Sequence, residues 1–233
     1  MENFLFEWKK YINEFGRGQI QTMRIFDFDD TIAETEANVI VKRPPDFKPE
    51  PMSPADYAVY EPIPNIETED PKAKKNELGE IFDFVEFDKI INPTKLQHVT
   101  AIFKRLMAAG PEGRWVSILT ARGPAVKEEI RGFLKIIMGE VGLDPELIDE
   151  MEIVCLGSSD PLDKARWILN AARQHEESLE LIEFFDDSPK NRAAVDLMLS
   201  KKLPNVKTNS IDPLDLEGKV EPFVHEDEYE GSL

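Results

Sequence analysis

The sequence predicts an α/β protein built on a parallel β-sheet, and two features of the chain support this fold class. After about residue 92, short apolar runs typical of buried strands alternate with longer segments whose apolar residues recur at helical spacing. Strands joined by crossover helices form a parallel sheet with helices on its faces. The second feature is the segment 23–31, where a strand-like run ends abruptly in three aspartates, Asp27, Asp29 and Asp30.

The expected core elements follow one another in a regular order. The expected strands are 24–28, 115–119, 153–156 and 181–185, with an edge strand at 206–211. The expected helices are 96–107, 124–139 and 161–174, followed by a last core helix. Ser188 and Pro189 predict the start of that last helix, because serine is a favourable N-cap and proline fits the first helical turn.

Three segments lie outside this alternation. Residues 1–22 contain an amphipathic helix with a strongly aromatic stripe, which we expect to pack on the core. The alternative is a partner contact, such as a homo-oligomer formed through this helix. Residues 23–211 form the core domain, interrupted by an insertion at 34–92, and residues 212–233 form an acidic tail with a solvating role.

The insertion at 34–92 is rich in proline. Of the chain's 17 prolines, eight lie between Pro44 and Pro71. Because proline at this density excludes long helices and central strands, we expect an irregular excursion with one short hairpin near Val39 to Lys42. Its aromatic residues provide apolar surface that a linker lacks, so the segment should fold back onto something.

The charge and composition of the chain limit its expected partners, its metal ligands and its expected location. The net charge of -18 opposes attraction of polyanions, so a phosphate or nucleic-acid partner requires local positive charge or a bound cation. A single cysteine, Cys155, allows no internal disulfide and no cysteine-based metal site. No apolar run approaches the roughly 18 residues of a membrane span, and no secretion signal is recognisable at the N-terminus. We therefore expect a cytoplasmic protein with no membrane partner.

Polar side chains follow four of the predicted strands, and the carboxyl ends of parallel strands meet at one edge of a sheet. These residues are Asp27 and Asp29, then Thr120, then Lys164, then Asp186 and Asp187. Carboxylates so close together repel by roughly 4 kcal/mol per pair at about 4 Å with an effective dielectric of about 20. They therefore need a cation, and oxygen ligands suit Mg²⁺. The expected ligands are the four aspartates of this set.

Four short motifs, in this order, resemble those of the haloacid dehalogenase (HAD)-like phosphatases. They are Asp27 to Thr31, Ile118 to Arg122, Lys164, and Phe185 to Ser188. The resemblance covers about residues 23–200 and implies a Rossmann-like three-layer fold. More narrowly, the run from the first motif through Ser53 to Tyr57 and on to Leu156 to Pro161 resembles phage and bacterial proteins related to the 3'-phosphatase domain of polynucleotide kinase-phosphatases.

The resemblance implies a two-step phosphoryl transfer. Asp27 would attack phosphorus and become an aspartyl-phosphate, which divides one difficult displacement into two easier ones. Asp29 would protonate the leaving oxygen and then accept a proton from the attacking water. Thr120 would bind the phosphoryl oxygens, and Lys164 would neutralise the negative charge of the nucleophile and of the phosphoryl group. Asp186 would hold magnesium, and Asp187 would support that ligand.

The expected substrate is a nucleotide or a nucleic-acid terminal phosphate. In the family that the motifs resemble, segments after the first motif cover the site, so the insertion is expected to form a partial lid. Lys42 and Arg43 of the insertion, together with Arg122 and Thr120, are the candidate substrate contacts. Three alternatives stay open: a phosphatase of sugars or other metabolites, a mutase, and a non-catalytic binding protein on the same fold.

Overall fold

The computed structural model describes residues 20–220, except residues 59, 63, 71 and 111. The helix predicted within 1–22 and most of the acidic tail lie outside the described residues, so the oligomer contact proposed for that helix stays a prediction. The chain divides into two compact units, one formed by the residues up to Glu34 and from Thr94 onward and one formed by Thr35–Pro93. Within the described residues, no helix has the length and apolar character needed to cross a membrane.

The described residues form twelve strands and five α-helices. The strands are β1 (Thr22–Phe26), β2 (Ala33–Glu34), β3 (Val39–Lys42), β4 (Pro49–Met52), β5 (Ile66–Glu67), β6 (Ala73–Lys75), β7 (Ile81–Asp83), β8 (Thr94–Lys95), β9 (Arg114–Thr120), β10 (Glu152–Cys155), β11 (Leu181–Phe185) and β12 (Lys207–Ile211). The helices are α1 (Pro54–Ala58), α2 (Gln97–Ala108), α3 (Lys127–Gly139), α4 (Pro161–Arg173) and α5 (Pro189–Lys202). Short 3₁₀ helices occupy Val85–Asp88, Pro124–Val126, Pro145–Ile148 and Pro213–Leu216.

The first unit is organised around a five-stranded sheet in the order β10-β9-β1-β11-β12, with every neighbouring pair parallel. The predicted parallel sheet is therefore confirmed. β1 lies at its centre, and Phe26, its last residue, is in register with Ile118 of β9 and Phe185 of β11. Because the carboxyl ends of the three strands lie close to one another in register, the residues that follow them meet at one edge of the sheet.

Helices pack against both faces of this sheet. Buried residues of α4 and α5 form one cluster with Met23 and Ile25 of β1. Phe26 points to the opposite face, because side chains alternate along a strand. There its ring meets Phe103 of α2 edge to face, with centroids 5.8 Å apart, and stacks on Phe185 at 4.4 Å. Burying these large apolar side chains on both sides stabilises the central strand that carries the first motif.

The central strand is shorter than the prediction of 24–28. It ends at Phe26 because the next residues form a turn. The Phe28 amide donates to Asp27 Oδ1 at 2.8 Å, and the Phe28 carbonyl accepts from the amides of Ile32 and Ala33 at 2.9 and 3.0 Å. The chain thus reverses immediately after the first aspartate, which leaves the acidic motif in a tight loop at the strand end.

The second unit differs from the irregular excursion that its proline content predicts. Its strands form an antiparallel sheet in the order β4-β3-β7-β6-β5. Pro49 and Pro51 lie on β4, an edge strand, where a missing N–H interrupts no central ladder. Val39, Val41 and Phe82 form a small core, against which further aromatic residues pack. The positions of the prolines, rather than their number, decide what this segment can form.

Candidate active site

Asp27 occupies the first position after the central strand. Its amide donates to the Phe185 carbonyl at 2.8 Å, which extends the β1–β11 ladder by one bond. Its carboxylate is fixed by the Phe28 amide, and the residue is 6% exposed. Burial raises the pKa of Asp27 well above its ordinary value, opposed by the Lys164 ammonium. The Asp27 carboxylate is therefore held in a defined orientation and is largely shielded from solvent.

Lys164 supplies the positive charge at this edge of the sheet. It lies in the first turn of α4, whose N-cap Asp160 accepts from the Leu162 amide. The Lys164 Nζ is 2.8 Å from Asp27 Oδ2 and 2.7 Å from Asp186 Oδ2, and the side chain is 2% exposed. Burial alone lowers the pKa of Lys164, but the two carboxylates outweigh burial and raise it. The ammonium therefore stays charged and holds the two acids together.

Asp186 follows β11 and is completely buried. Besides its contact with Lys164, it accepts from the Ser188 amide at 2.9 Å and from Asn191 Nδ2 at 3.0 Å on each oxygen. Asn191 is a site residue that the motif comparison does not identify. The available signal is its place in the first turn after the Ser188 N-cap, since the side chains of a helix tilt toward its N-terminus and so toward the preceding loop.

Arg192 fixes the backbone of the second acidic pair. Its Nη1 donates to the carbonyls of Asp186 and Asp187 at 2.6 and 2.7 Å, and its Nη2 donates to Asp212 Oδ2 at 2.6 Å. Asp212 in turn caps the 3₁₀ helix Pro213–Leu216. The loop after β11 is thus tied to the chain that follows β12, and both carboxylates project from a rigid support.

Three carboxylates are placed so that they could hold one metal ion. Asp27, Asp186 and Asp187 each offer an oxygen, and these atoms lie within 4.8 Å of one another. Two of the three are buried, and a hard divalent cation prefers oxygen ligands of this kind. Burial, followed by the charges of Asp186 and Asp30, raises the pKa of Asp187 to about 6. The donor set therefore fits Mg²⁺, because a cation would relieve an excess of buried negative charge.

Among the described residues, Asp29 is not part of the carboxylate triad. Its carboxylate contacts Arg122 instead. Arg122 Nε donates to Asp29 Oδ2 at 2.8 Å, and Arg122 Nη2 donates to Oδ1 at 2.7 Å. The arginine side chain is 1% exposed and the aspartate side chain 27%. The role of the Asp29 carboxylate as a metal ligand stays a prediction.

Thr120 ends β9 and is completely buried. Its Oγ1 accepts from the Arg122 amide at 3.2 Å, which folds the chain back after the strand. The Thr120 carbonyl accepts from the Leu156 amide at 3.0 Å, and the Arg122 carbonyl accepts from the Gly157 amide at 2.9 Å. The loops after β9 and β10 therefore support each other. The contact of Thr120 with phosphoryl oxygens stays a prediction.

Lys42 and Arg43, the other predicted substrate contacts, belong to the second unit. Lys42 Nζ is 3.2 Å from Asp83, and Arg43 contacts Glu50 at 2.6 Å and the largely buried Glu80 at 3.0 Å. Both cations thus have carboxylate partners in their own unit. A phosphate contact would require them to share or leave these partners, and that role stays a prediction.

No protein-family model matches the chain, and no curated protein matches it. Among solved structures, the Legionella pneumophila effector Ceg4 is similar at 17% identity and a TM-score of 0.41, over 89% of this chain and 96% of that chain. The HAD domain of the Legionella pneumophila effector protein Lem4 is similar at 11% identity and a TM-score of 0.41, over 84% of this chain and 88% of that one.

Removing the charge of Asp187 should stabilise the metal-free protein. Folding raises the pKa of this carboxyl from 3.8 to about 6, so between these values the folded chain binds more protons than the unfolded chain. The carboxylate therefore costs stability that grows as the pH rises through this window, by about 1 to 3 kcal/mol once solvent screening is allowed for. Below about pH 4 the difference vanishes, because both states are protonated.

Denaturant unfolding of Asp187→Asn in chelator, at several pH values, measures this effect. The exposed Asp215→Asn is the matched control and should change little. Added Mg²⁺ should stabilise the wild type more than Asp187→Asn, because the variant loses a ligand charge. A variant less stable than the wild type at pH 8 without metal would contradict the interpretation.

Proposed function

We propose that this protein is a magnesium-dependent phosphomonoesterase of the HAD type that acts through an aspartyl-phosphate on Asp27. The observation that carries the proposal is the buried Asp27 carboxylate, held 2.8 Å from the Lys164 ammonium within a triad of acids spaced for one cation. A carboxylate beside a buried ammonium and a cation position has the surroundings that a nucleophile toward a phosphate dianion requires.

In the first step a carboxylate oxygen of Asp27 forms a bond to phosphorus, and the bond from phosphorus to the ester oxygen breaks. The electron pair stays on the leaving oxygen, which takes a proton from Asp29, two residues along the chain. In the second step water attacks the phosphorus of the aspartyl-phosphate and gives a proton to Asp29, and the bond between phosphorus and the Asp27 oxygen breaks. Phosphate leaves and the Asp27 carboxylate is restored.

Lys164 contributes to both steps by holding its charge beside the nucleophile. Without it, Asp27 and Asp186 would face each other as unpaired buried anions, and a phosphate dianion would be repelled. Asp27, Asp186 and Asp187 would hold magnesium, which when bound supplies positive charge for the phosphoryl oxygens. The Thr120 hydroxyl is the proposed donor to those oxygens.

The proposed substrate is a nucleotide or a nucleic-acid terminal phosphate with few backbone contacts. The net charge of -18 leaves only local cations to attract a polyanion, and Lys164 is the buried cation of the proposed site. Substrate binding should therefore depend less steeply on salt than that of a protein contacting about 6 to 10 phosphates. Comparing 3'- and 5'-mononucleotides, a 3'-phosphorylated oligonucleotide and a sugar phosphate tests this. A preference for the sugar phosphate would contradict the nucleotide or nucleic-acid substrate but would not contradict the phosphatase chemistry.

The phosphatase proposal is tested by measuring phosphate release from a generic phosphate ester during a magnesium titration followed by chelation. We expect hydrolysis that requires the metal, is lost on chelation and returns on adding excess magnesium. Asp27→Asn is the control for a contaminating phosphatase, since activity from a contaminant would persist. No hydrolysis at any metal concentration would contradict the proposal and favour a non-catalytic binding protein.

A further inference from the structure

The arrangement of Arg122 and Asp29 is unusual for a residue expected to bind phosphate directly. The guanidinium is 1% exposed, while the carboxylate it contacts is 27% exposed. Of the two side chains, the aspartate is therefore the one that is accessible to solvent. In this arrangement a ligand would meet the carboxylate first.

The contact between the two side chains is bidentate. Arg122 Nε and Nη2 each donate to a different oxygen of Asp29, at 2.8 and 2.7 Å. Two parallel bonds from a planar fork fix the plane and the rotation of a carboxylate, which one bond from a lysine does not. The contact therefore sets the direction in which the Asp29 carboxyl faces.

The support behind Arg122 is itself built from the loops of the site. Its amide donates to Thr120 Oγ1 at 3.2 Å, and its carbonyl accepts from the Gly157 amide at 2.9 Å. Gly157 has a φ of +64°, a conformation that favours glycine. Two strand-end loops thus fix the backbone from which the guanidinium extends to Asp29.

We infer that Arg122 is a positioning residue, which orients the Asp29 carboxyl for proton transfer to the leaving oxygen. The inference rests on the proposed phosphatase function and goes beyond it, because it assigns Arg122 to the proton carrier rather than to the phosphate. A general acid contributes roughly 10²- to 10⁴-fold when it is in place, and this contribution depends on its geometry. Loss of the orientation should remove much of that factor.

The two roles differ in how they depend on the leaving group. An alkyl phosphate has a strongly basic leaving oxygen that needs the proton, whereas para-nitrophenyl phosphate has a weakly basic one that needs it much less. A residue that acts through Asp29 should therefore matter mainly for the alkyl ester. A phosphate clamp should matter equally for both esters and should raise KM.

The experiment compares kcat/KM for the two esters in wild type, Arg122→Gln and Arg122→Lys, with magnesium present. The constant kcat/KM reports the steps up to departure of the leaving group. We expect both variants to lose at least about tenfold on the alkyl ester and less than about threefold on the aryl ester, since only the first ester needs the acid. Arg122→Lys should not rescue the loss, because it keeps the charge without the fork.

Two controls separate this effect from a folding defect. The ratio of the two constants within one variant does not depend on how much of the protein is folded. Arg166→Gln, which removes an exposed arginine paired with Asp163, should leave the ratio unchanged. In addition, Arg122→Gln should cost little further activity on the alkyl ester in an Asp29→Asn background, because residues that act as a unit are not additive.

The outcomes are distinguishable. Hydrolysis by the wild type with an unchanged ester ratio in Arg122→Gln, or a loss that adds to that of Asp29→Asn, would overturn the positioning role and leave the phosphatase proposal standing. A wild type that hydrolyses neither ester would overturn both.

Discussion

Replacing Asp27 with asparagine is expected to abolish turnover and formation of the phosphoenzyme while the fold is retained. The amide keeps the shape of the carboxyl, and its oxygen can still accept from the Phe28 amide. Lys164 keeps Asp186 as a partner at 2.7 Å. The change also removes a buried carboxyl whose pKa is raised by burial, so little stability should be lost. Loss of a nucleophile typically lowers kcat by about 10⁴-fold or more.

The measurement is kcat with magnesium at saturating substrate, together with a denaturant unfolding curve. Asp149→Asn, the same substitution at an exposed position paired with Lys135, is the matched control and should keep wild-type activity. Turnover by Asp27→Asn at close to the wild-type rate would mean that the nucleophile is assigned to the wrong residue.

Replacing Lys164 with methionine should lower the free energy of unfolding more than any of the other substitutions described above. The substitution keeps the apolar stem but leaves Asp27 and Asp186 buried without their ammonium, at contacts that were 2.8 and 2.7 Å. Breaking a buried ion pair in this way destabilises by about 3 to 5 kcal/mol. The loss should be smaller at low pH. Burial already raises the pKa of Asp27, and protonating that carboxyl removes the unpaired charge.

Lys104→Met is the matched control, because Lys104 is also buried but its carboxylate neighbour, Glu140, is 3.9 Å away. Burial lowers the pKa of Lys104, so replacing it should cost little or be neutral. Unfolding free energies of both variants in chelator, at pH 5 and about pH 8, test the difference. Equal losses for the two lysines would show that Lys164 acts as an ordinary buried side chain.

The core of the fold could be predicted because its signals are local. Strand β11 begins and ends where the apolar run does, and Ser188 accepts from the Asn191 amide as an N-cap should. The edge at which Asp27, Lys164 and Asp186 meet follows from parallel topology and strand order. Periodicity and helix caps were therefore sufficient to place the acids and the lysine together.

The remaining features depend on contacts that no periodic pattern in the sequence records. The Arg122–Asp29 pair joins positions 93 residues apart, and no local pattern distinguishes it from a phosphate contact. Asn191 was not identified because its role is defined only by the turn that brings it onto Asp186. Of the antiparallel sheet of residues 35–93, the sequence predicted only the hairpin near Val39 to Lys42, which β3 and β4 confirm. The rest was not predicted because its strands are two to four residues long, too short for a periodic signal.

The central claim is that Asp27 carries the phosphoryl group during turnover, and rapid acid quench during hydrolysis of a labelled ester tests it most directly. The expected result is one phosphoryl group on the peptide that contains Asp27. The label should be released by hydroxylamine, as an acyl phosphate is, and should be absent in Asp27→Asn and after chelation. Steady hydrolysis by the wild type with no label on that peptide, or with the label on another residue, would contradict the account.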